Sequence, residues 1–222
     1  MSITQPESYV ITVLVADDHD LVRAGLARML SDKDDIDVVA QASSGEEAIQ
    51  LYRSHSPDVV TMDLRMPGIG GLEATRRLCQ VDATVKVVIV TSCMEAPFPN
   101  KLMEVGAVGY VTKSADVTEL EAAVRSVHRG GKYISPDIAQ QLALQSIGGG
   151  QASPFSVLSH REMQIAMMIV HCEKVQTISD RLCLSPKTVN SYRYRLFDKL
   201  GISSDVELTH LAFRHNLIET AT

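Results

Sequence analysis

The chain has no tryptophan, and aromatic residues fill only 5% of its 222 positions. Its interior must therefore be aliphatic. Cysteine is scarce too. Cys79, Cys93, Cys172 and Cys183 form no C-x-x-C pair, which excludes a disulfide framework or a zinc site and points to free thiols in a reducing cytoplasm. No apolar run approaches the ~18 residues of a membrane span, so no membrane attachment is expected. The opening MSITQPESY has no basic stretch followed by an apolar one, so no secretory leader is expected either. With 45% apolar and 22% charged residues, the composition is that of a globular chain rather than a disordered, collagenous or coiled-coil one.

The net charge of −6 is unevenly shared: residues 1–146 carry −7 and residues 147–222 carry +1. Overall acidity argues against nucleic acid, but domain charge is the relevant quantity. Residues 185–200 hold four basic side chains and one acid.

The first part alternates apolar runs with helical spacing. Strands are predicted at 10–16, 36–41, 58–63, 85–90 and 107–111, with helices over 21–30, 46–53, 72–79, 116–129 and 136–145. Asp116 is the expected cap of the 116–129 helix. Continuous apolar strands between helices imply an α/β fold, a doubly wound parallel sheet of flavodoxin-like order 2-1-3-4-5, with its site at the carboxyl ends of the strands. The run Gly148-Gly-Gly-Gln-Ala-Ser-Pro154 reads as a flexible joint. Beyond it, four short helices are expected: 161–170, 175–182, 186–200 and 205–217. The domains are thus read as 10–130, a linker of 131–157, and a second, all-α domain of 158–218.

Three carboxylates fall at strand ends: Asp17 and Asp18 after the first strand, Asp63 after the third. Neighbouring carboxylates repel unless a cation neutralises them, and a hard divalent ion such as Mg²⁺ suits oxygen ligands and phosphate chemistry. Thr91 and Lys113 end the fourth strand and follow the fifth, adding a hydroxyl and an ammonium to the same rim. That set suits phosphoryl transfer to a carboxylate nucleophile. His19 is expected to face solvent.

Asp17-Asp18, Met62-Asp-Leu-Arg-Met-Pro-Gly68, Val90-Thr-Ser92 and Gly109-Tyr-Val-Thr-Lys113 resemble the signature of a two-component response regulator receiver domain. The resemblance implies a (βα)5 fold with Asp63 as phosphoacceptor. It implies Mg²⁺ held by Asp18, Asp63 and the Arg65 carbonyl, with Asp17 acting through a water. Lys113 would pair with the phosphoryl group, Thr91 would turn its hydroxyl toward it, and Tyr110 would follow inward as the aromatic switch. Arg65 and Cys93 would flank the path of the hydrolytic water. Ser114 departs from the proline that many receivers carry after the lysine, so a strained bond or a rearranged loop is expected there.

In the second part, Ser159-His-Arg-Glu162 before an apolar run is a capping box. Thr177 to Ser185 followed by Pro186 reads as helix, tight turn and helix with Pro at its first position, a helix-turn-helix. At 100° per residue, Val189, Leu196 and Leu200 share the inner face of the 186–200 helix. Lys187, Thr188, Asn190, Ser191 and Tyr194 are offered to base edges in a major groove, and Lys187, Arg193, Arg195 and Lys199 to phosphates. Residues 158–217, with Leu184-Ser-Pro-Lys-Thr-Val-Asn-Ser-Tyr-Arg-Tyr-Arg195 at their centre, are similar to the output domain of the NarL/FixJ (LuxR-type) regulators, and the whole chain to their global activator (GacA/UvrY/LetA) branch. That likeness implies a sensor histidine kinase as phosphodonor, double-stranded DNA at promoters of small regulatory RNAs as target, and a homodimer with Val206, Leu208 and Leu211 at its interface.

The expected function is therefore a cytoplasmic response regulator and transcription factor, not an enzyme beyond its own phosphorylation and dephosphorylation. In its unphosphorylated form the two domains are expected to dock and restrict access to the reading helix. A metal-dependent phosphatase is disfavoured by the short βα region and by Arg65 where a second aspartate would stand. A protein-binding regulator that ignores DNA remains open to a low-salt binding test.

Overall fold

A computed structural model describes residues 9–92, 102–148, 153–215 and 217–218. Six parallel strands form one sheet: β1 (Ile11–Ala16), β2 (Ile36–Ala42), β3 (Val59–Met62), β4 (Val87–Thr91), β5 (Gly109–Thr112) and β6 (Tyr133–Ile134). Their order is β2-β1-β3-β4-β5-β6. The first five follow the expected flavodoxin-like order. The two-residue β6, which no periodicity announces, extends the edge beside β5.

Strands β3, β4 and β5 are buried along their whole length. This is why they read as unbroken apolar runs: both faces are covered. The helices α1 (Asp20–Ser31) and α4 (Val117–His128) cover one face, packing Leu30, Leu120, Val124 and Val127 on Val13, Val15, Val88 and Val90. On the other face lie α2 (Gly45–His55) and α3 (Gly70–Val81), over Leu14, Val60, Met62 and Ile89. The caps are local sequence events. Asp116 accepts the Glu119 N–H at 2.9 Å, as expected of it. Ser44 accepts from Glu47 at the start of α2. Helix α5 (Pro136–Gly148) leads toward the second domain.

That domain is a short 3-10 turn (Pro154–Val157) followed by α6 (His160–Val170), α7 (Val175–Leu182), α8 (Pro186–Leu200) and α9 (Asp205–Arg214). The capping box is complete: the Ser159 hydroxyl accepts the Glu162 N–H, and the Glu162 carboxylate accepts the Ser159 N–H at 2.7 Å. Ser185 caps α8, Pro186 stands at its first position and Gly201, at φ 65°, closes it. The last helix ends at Arg214 rather than continuing to 217, and Leu217 is buried. Its core of Met163, Ile165, Ile178, Leu182, Val189, Leu196 and Leu208 is continuous with the α2–α3 side of the sheet. Among the described residues no helix is long and apolar enough to cross a membrane.

Candidate functional site

Strand register assembles the acidic rim. Ala16 pairs with Met62, so the residues that follow, Asp17 and Asp63, emerge side by side. The Asp63 N–H donates to the Ala16 carbonyl at 2.8 Å and the Asp17 N–H to the Ala42 carbonyl at 3.0 Å. Thr91 pairs with Thr112, and the Lys113 N–H donates to the Thr91 carbonyl at 3.0 Å, which sets the lysine at the same edge. Its Nζ lies 2.7 Å from both Asp17 Oδ2 and Asp63 Oδ2. Asp17 and Asp63 are almost fully buried, whereas Asp18 keeps a solvent edge.

Ligand atoms of Asp17, Asp18, His19 and Asp63 lie within 4.8 Å of one another. Asp63 Oδ1 is buried with no hydrogen-bond partner among the described residues. A buried carboxylate oxygen without a donor is costly unless a cation or a reaction uses it. The three carboxylates of this cluster are hard oxygen donors, which fits a magnesium-type ion. Burial pushes the Asp63 carboxyl above its ordinary range and the Asp17 charge adds to this, while Lys113 opposes both. For Lys113, burial alone would lower the pKa. The Asp63 and Asp17 carboxylates outweigh it, so the ammonium is held above its usual value.

The other expected residues fall where their strands put them. Thr91, which ends β4, and Tyr110, which pairs with Ile89 two residues further back on β5, are both fully buried. The turn after Lys113 closes with the Ala115 N–H on the Thr112 carbonyl at 3.0 Å, and the Thr112 and Ser114 hydroxyls share a 3.0 Å hydrogen bond. Cys93 lies outside the described residues. His19 does more than face solvent. Its ring is largely exposed, yet Nδ1 sits 2.9 Å from Asp18 Oδ1, and its N–H donates to Asp17 Oδ1. Its place right after the acidic pair, at the cap of α1, is the signal that sequence reasoning underused.

The loop after Asp63 is tightly specified. A Cβ on Gly71 would sit 1.9 Å from the Asp63 carbonyl oxygen, so only glycine lets α3 begin there. Glu46 accepts the Ile69 N–H at 3.2 Å and lies against Gly68, which has φ 83°. Nothing in the spacing of Glu46 announces this clamp.

The same loop and α3 receive the helical domain. Gln164 Nε2 donates to the Ile69 carbonyl at 3.4 Å, and Arg77 Nη2 to the Arg181 carbonyl at 3.5 Å. Buried Glu73 holds Arg76 and Arg77 at 2.7–2.8 Å and reaches Arg161 of α6 at 3.5 Å. Burial alone would raise the Glu73 pKa, but the Arg76 and Arg77 guanidinium groups bring it below the ordinary range. On the far side His160 lies 3.4 Å from Glu104. His171, at the end of α6, is near enough to Arg65 and Asp18 to feel both charges. Burial of the ring and Arg65 lower its pKa against the pull of Asp18, although the residue as a whole is exposed. The domains are therefore docked, but through α6 and α7. Helix α8 keeps Lys187, Ser191, Tyr194 and Arg195 exposed. Docking is expected to restrict access to the reading helix; it does not do so by burying it, since these outer side chains stay exposed to solvent.

On α8 the inner face is Val189, Leu196 and Phe197, with Leu200 only half-buried. Asn190 and Thr188 are half-buried, and the Thr188 hydroxyl pairs with the Ser185 cap at 2.8 Å. Two residues expected on phosphates are committed elsewhere. Arg193 makes a two-pronged ion pair with Asp205, at 2.8 and 2.6 Å, and Lys199 lies 2.7 Å from Glu162. Both acids come from neighbouring helix starts, which sequence spacing does not reveal. Of the three expected interface residues, Val206 is exposed and Leu211 half-buried. Leu208 is part of its own domain's core, which removes it from any surface.

Two family models match the chain: "Response regulator receiver domain" over residues 13–125, and "Bacterial regulatory proteins, luxR family" over residues 156–212. The chain is 60% identical to the response regulator GacA of Pseudomonas viridiflava, covering 96% of this chain and all of that one. It is 53% identical to the response regulator UvrY of Escherichia coli K12, over 96% and 98% of the two chains. The fold is shared with RcsB of Salmonella enterica serovar Typhimurium, solved bound to promoter P1flhDC in the presence of the phosphomimetic BeF3⁻, with TM-score 0.73 and 21% identity over 94% and 99% of the chains. Together with the rim geometry and the helix-turn-helix, these matches show that the chain belongs to the LuxR family of two-component response regulators, as a transcription factor that joins a receiver to a DNA-binding domain.

Proposed function

We propose that Asp63 accepts a phosphoryl group from the phosphohistidine of a sensor kinase and that this load controls dimerisation and sequence-specific DNA binding. The observation that carries the reading is Lys113 Nζ held 2.7 Å from Asp63 Oδ2 while Asp63 Oδ1 is left without a donor. One oxygen is oriented by a fixed cation and the other is free to attack. In the transfer, the histidine nitrogen–phosphorus bond breaks, an Asp63 oxygen–phosphorus bond forms, and the imidazole takes up a proton. Lys113 then pairs with a phosphoryl oxygen, Thr91 supplies a hydroxyl, and Tyr110 follows it. Asp18, Asp63 and the Arg65 carbonyl would hold Mg²⁺, with Asp17 behind a water; the ion supplies charge neutralisation for the phosphoryl oxygens. Hydrolysis returns the carboxylate and releases phosphate, and no other substrate is turned over.

Phosphorylation replaces the single carboxylate charge by roughly −1.5 to −2 on the phosphoryl oxygens, further from the backbone and beside the loop that seats α6. Because α8 is open in the docked form, control acts through release of the α6–α7 seam and through dimerisation rather than by masking the outer face of the reading helix. Lys187, Thr188, Asn190, Ser191, Tyr194 and Arg195 of α8 then face the DNA, with Arg193 and Lys199 reaching phosphates only if they leave Asp205 and Glu162. The full-length likeness to the GacA and UvrY type supports promoters of small regulatory RNAs as targets, and a cytoplasmic place of action follows from a DNA target. The test is labelling with acetyl phosphate and Mg²⁺, mass mapping of the modified residue, and light scattering with gel shifts at low salt. Label on Asp63, a dimer and tighter DNA binding are expected. Undiminished phosphate-stimulated DNA binding by Asp63→Asn refutes the reading.

A further inference from the structure

We infer that His19 is a metal ligand that selects the ion of the acidic rim: its imidazole turns the site toward a divalent first-row transition ion of the manganese-to-zinc class. This deepens the ion site of the proposed function and rests on that reading for the place of the ion.

Asp17 has little left to give a cation. Its Oδ1 accepts the His19 N–H at 2.9 Å, and its Oδ2 lies 2.7 Å from the Lys113 ammonium. The side-chain donors that can reach an ion directly are then Asp18, Asp63 and the His19 ring. Asp63 is 1% exposed and its Oδ1 has no hydrogen-bond partner among the described residues, so the demand for a cation does not depend on the ring. His19 Nδ1 lies 2.9 Å from Asp18 Oδ1 and 3.5 Å from Asp17 Oδ1. Donor atoms of all four residues fall within 4.8 Å of one another. Two donors at right angles on one ion, each bound at about 2.1 Å, stand about 3.0 Å apart, and two on opposite sides about 4.2 Å. The observed spacings are of this kind, so the ring has no distance to travel to become a ligand. The approach is from water, because the His19 and Asp18 side chains are 66% and 28% exposed.

The helix does not use the ring. His19 stands at the N-cap of α1 but makes no side-chain cap bond there, where serine, threonine or aspartate would stabilise the helix. Its backbone is fixed without the ring, by the N–H on Asp17 Oδ1 and by its carbonyl, which accepts the Arg23 N–H at 2.9 Å. Carboxylates alone suit Mg²⁺, which prefers oxygen and keeps its waters. An imidazole nitrogen adds little to Mg²⁺ and more, in rising order, to Mn²⁺, Co²⁺ and Ni²⁺. With Mg²⁺ the ring stays on Asp18; with a transition ion it replaces a bound water.

The test uses the full chain and the metals alone. Co²⁺ would be titrated by its visible absorption and Mg²⁺ by calorimetry, in the parent and in His19→Ala, and Mn²⁺ would be read by electron spin echo for the nitrogen of a bound imidazole. Co²⁺ displaced by excess Mg²⁺ is expected, together with a nitrogen coupling to Mn²⁺ that His19→Ala removes. Co²⁺ affinity should fall roughly tenfold in His19→Ala, with a much smaller change for Mg²⁺. Asp63→Asn should weaken both ions. Because the ring caps nothing, His19→Ala should melt at the parent's temperature. Unchanged Co²⁺ affinity in His19→Ala, a parent Mn²⁺ spectrum without nitrogen, or equal losses for Co²⁺ and Mg²⁺ overturns the assignment; the last result would mean that the ring only orients Asp18. Acetyl phosphate labelling of the parent with Mg²⁺ reports separately: no label on Asp63 defeats the phosphorylation reading and leaves the comparison of ions standing.

Discussion

Replacing Glu73 by Gln isolates the strength of the seam between the domains. Glu73 is 4% exposed and contacts three guanidinium groups. Two of them, Arg76 and Arg77, belong to its own helix and stay in place whether or not the domains dock. Only two interactions cross the seam through it: the 3.5 Å approach of Arg161, and the 3.5 Å bond from Arg77 to the Arg181 carbonyl, which Glu73 aims. A well-formed charge-assisted bond is worth about 1.5–3 kcal/mol. Both of these are at the long limit, and the two arginines are about a quarter to a third exposed. Discounted for distance and solvent, each contributes about 0.5–1 kcal/mol. The substitution should therefore weaken docking by about 1–2 kcal/mol, a 5–30-fold fall in the docked-to-separated ratio. Small-angle scattering should show a larger radius of gyration. Arg161→Met removes the crossing arm alone, and the double variant should show a coupling of about 0.5–1 kcal/mol. Unchanged scattering in both single variants, or a coupling of zero, would refute the reasoning that this acid fastens the helical domain.

Three further outcomes follow from single sites. Gly71→Ala drives a Cβ into the Asp63 carbonyl, so it should cost at least about 1–3 kcal/mol in urea unfolding and slow acetyl phosphate labelling by displacing the strand end. Ser185→Ala removes the cap of α8 and should lose about 1 kcal/mol, read as a lower melting temperature together with weaker DNA binding. Glu162 sets an acid limit. Burial would raise its pKa, but Lys199 and the Ser159 amide and hydroxyl outweigh that, so its folded value lies below the ordinary one. A depressed acid stabilises the fold above the unfolded value of about 4.3, and that stabilisation is lost as pH falls through the depressed folded value. Thermal melts from pH 7 to 3 should decline less steeply for Glu162→Gln; an identical slope contradicts the assignment.

Much of this molecule follows from the order of its residues. Apolar runs covered on both faces announce β1, β3, β4 and β5, the edge strand β2 carries a mixed run with Asp37 and Gln41 exposed, the two-residue β6 is too short to carry a period, and the caps at Asp116, Ser159 and Ser185 are satisfied within three residues of themselves. The acidic rim is legible for the same reason: strand ends in a parallel sheet gather at one edge, so Asp17, Asp63, Thr91 and Lys113 are brought together by register alone. Tertiary packing decided what has no local signal. Glu73 meets Arg161 from 88 positions away. Asp205 and Glu162 take Arg193 and Lys199 from the outer surface of α8, and Leu208 turns into the core. Charge pairs of this kind are chosen by which helices pack, not by spacing along one of them. The docking of α6 and α7 on the loop after Asp63, which leaves α8 open, likewise depends on surfaces formed only after each domain has folded.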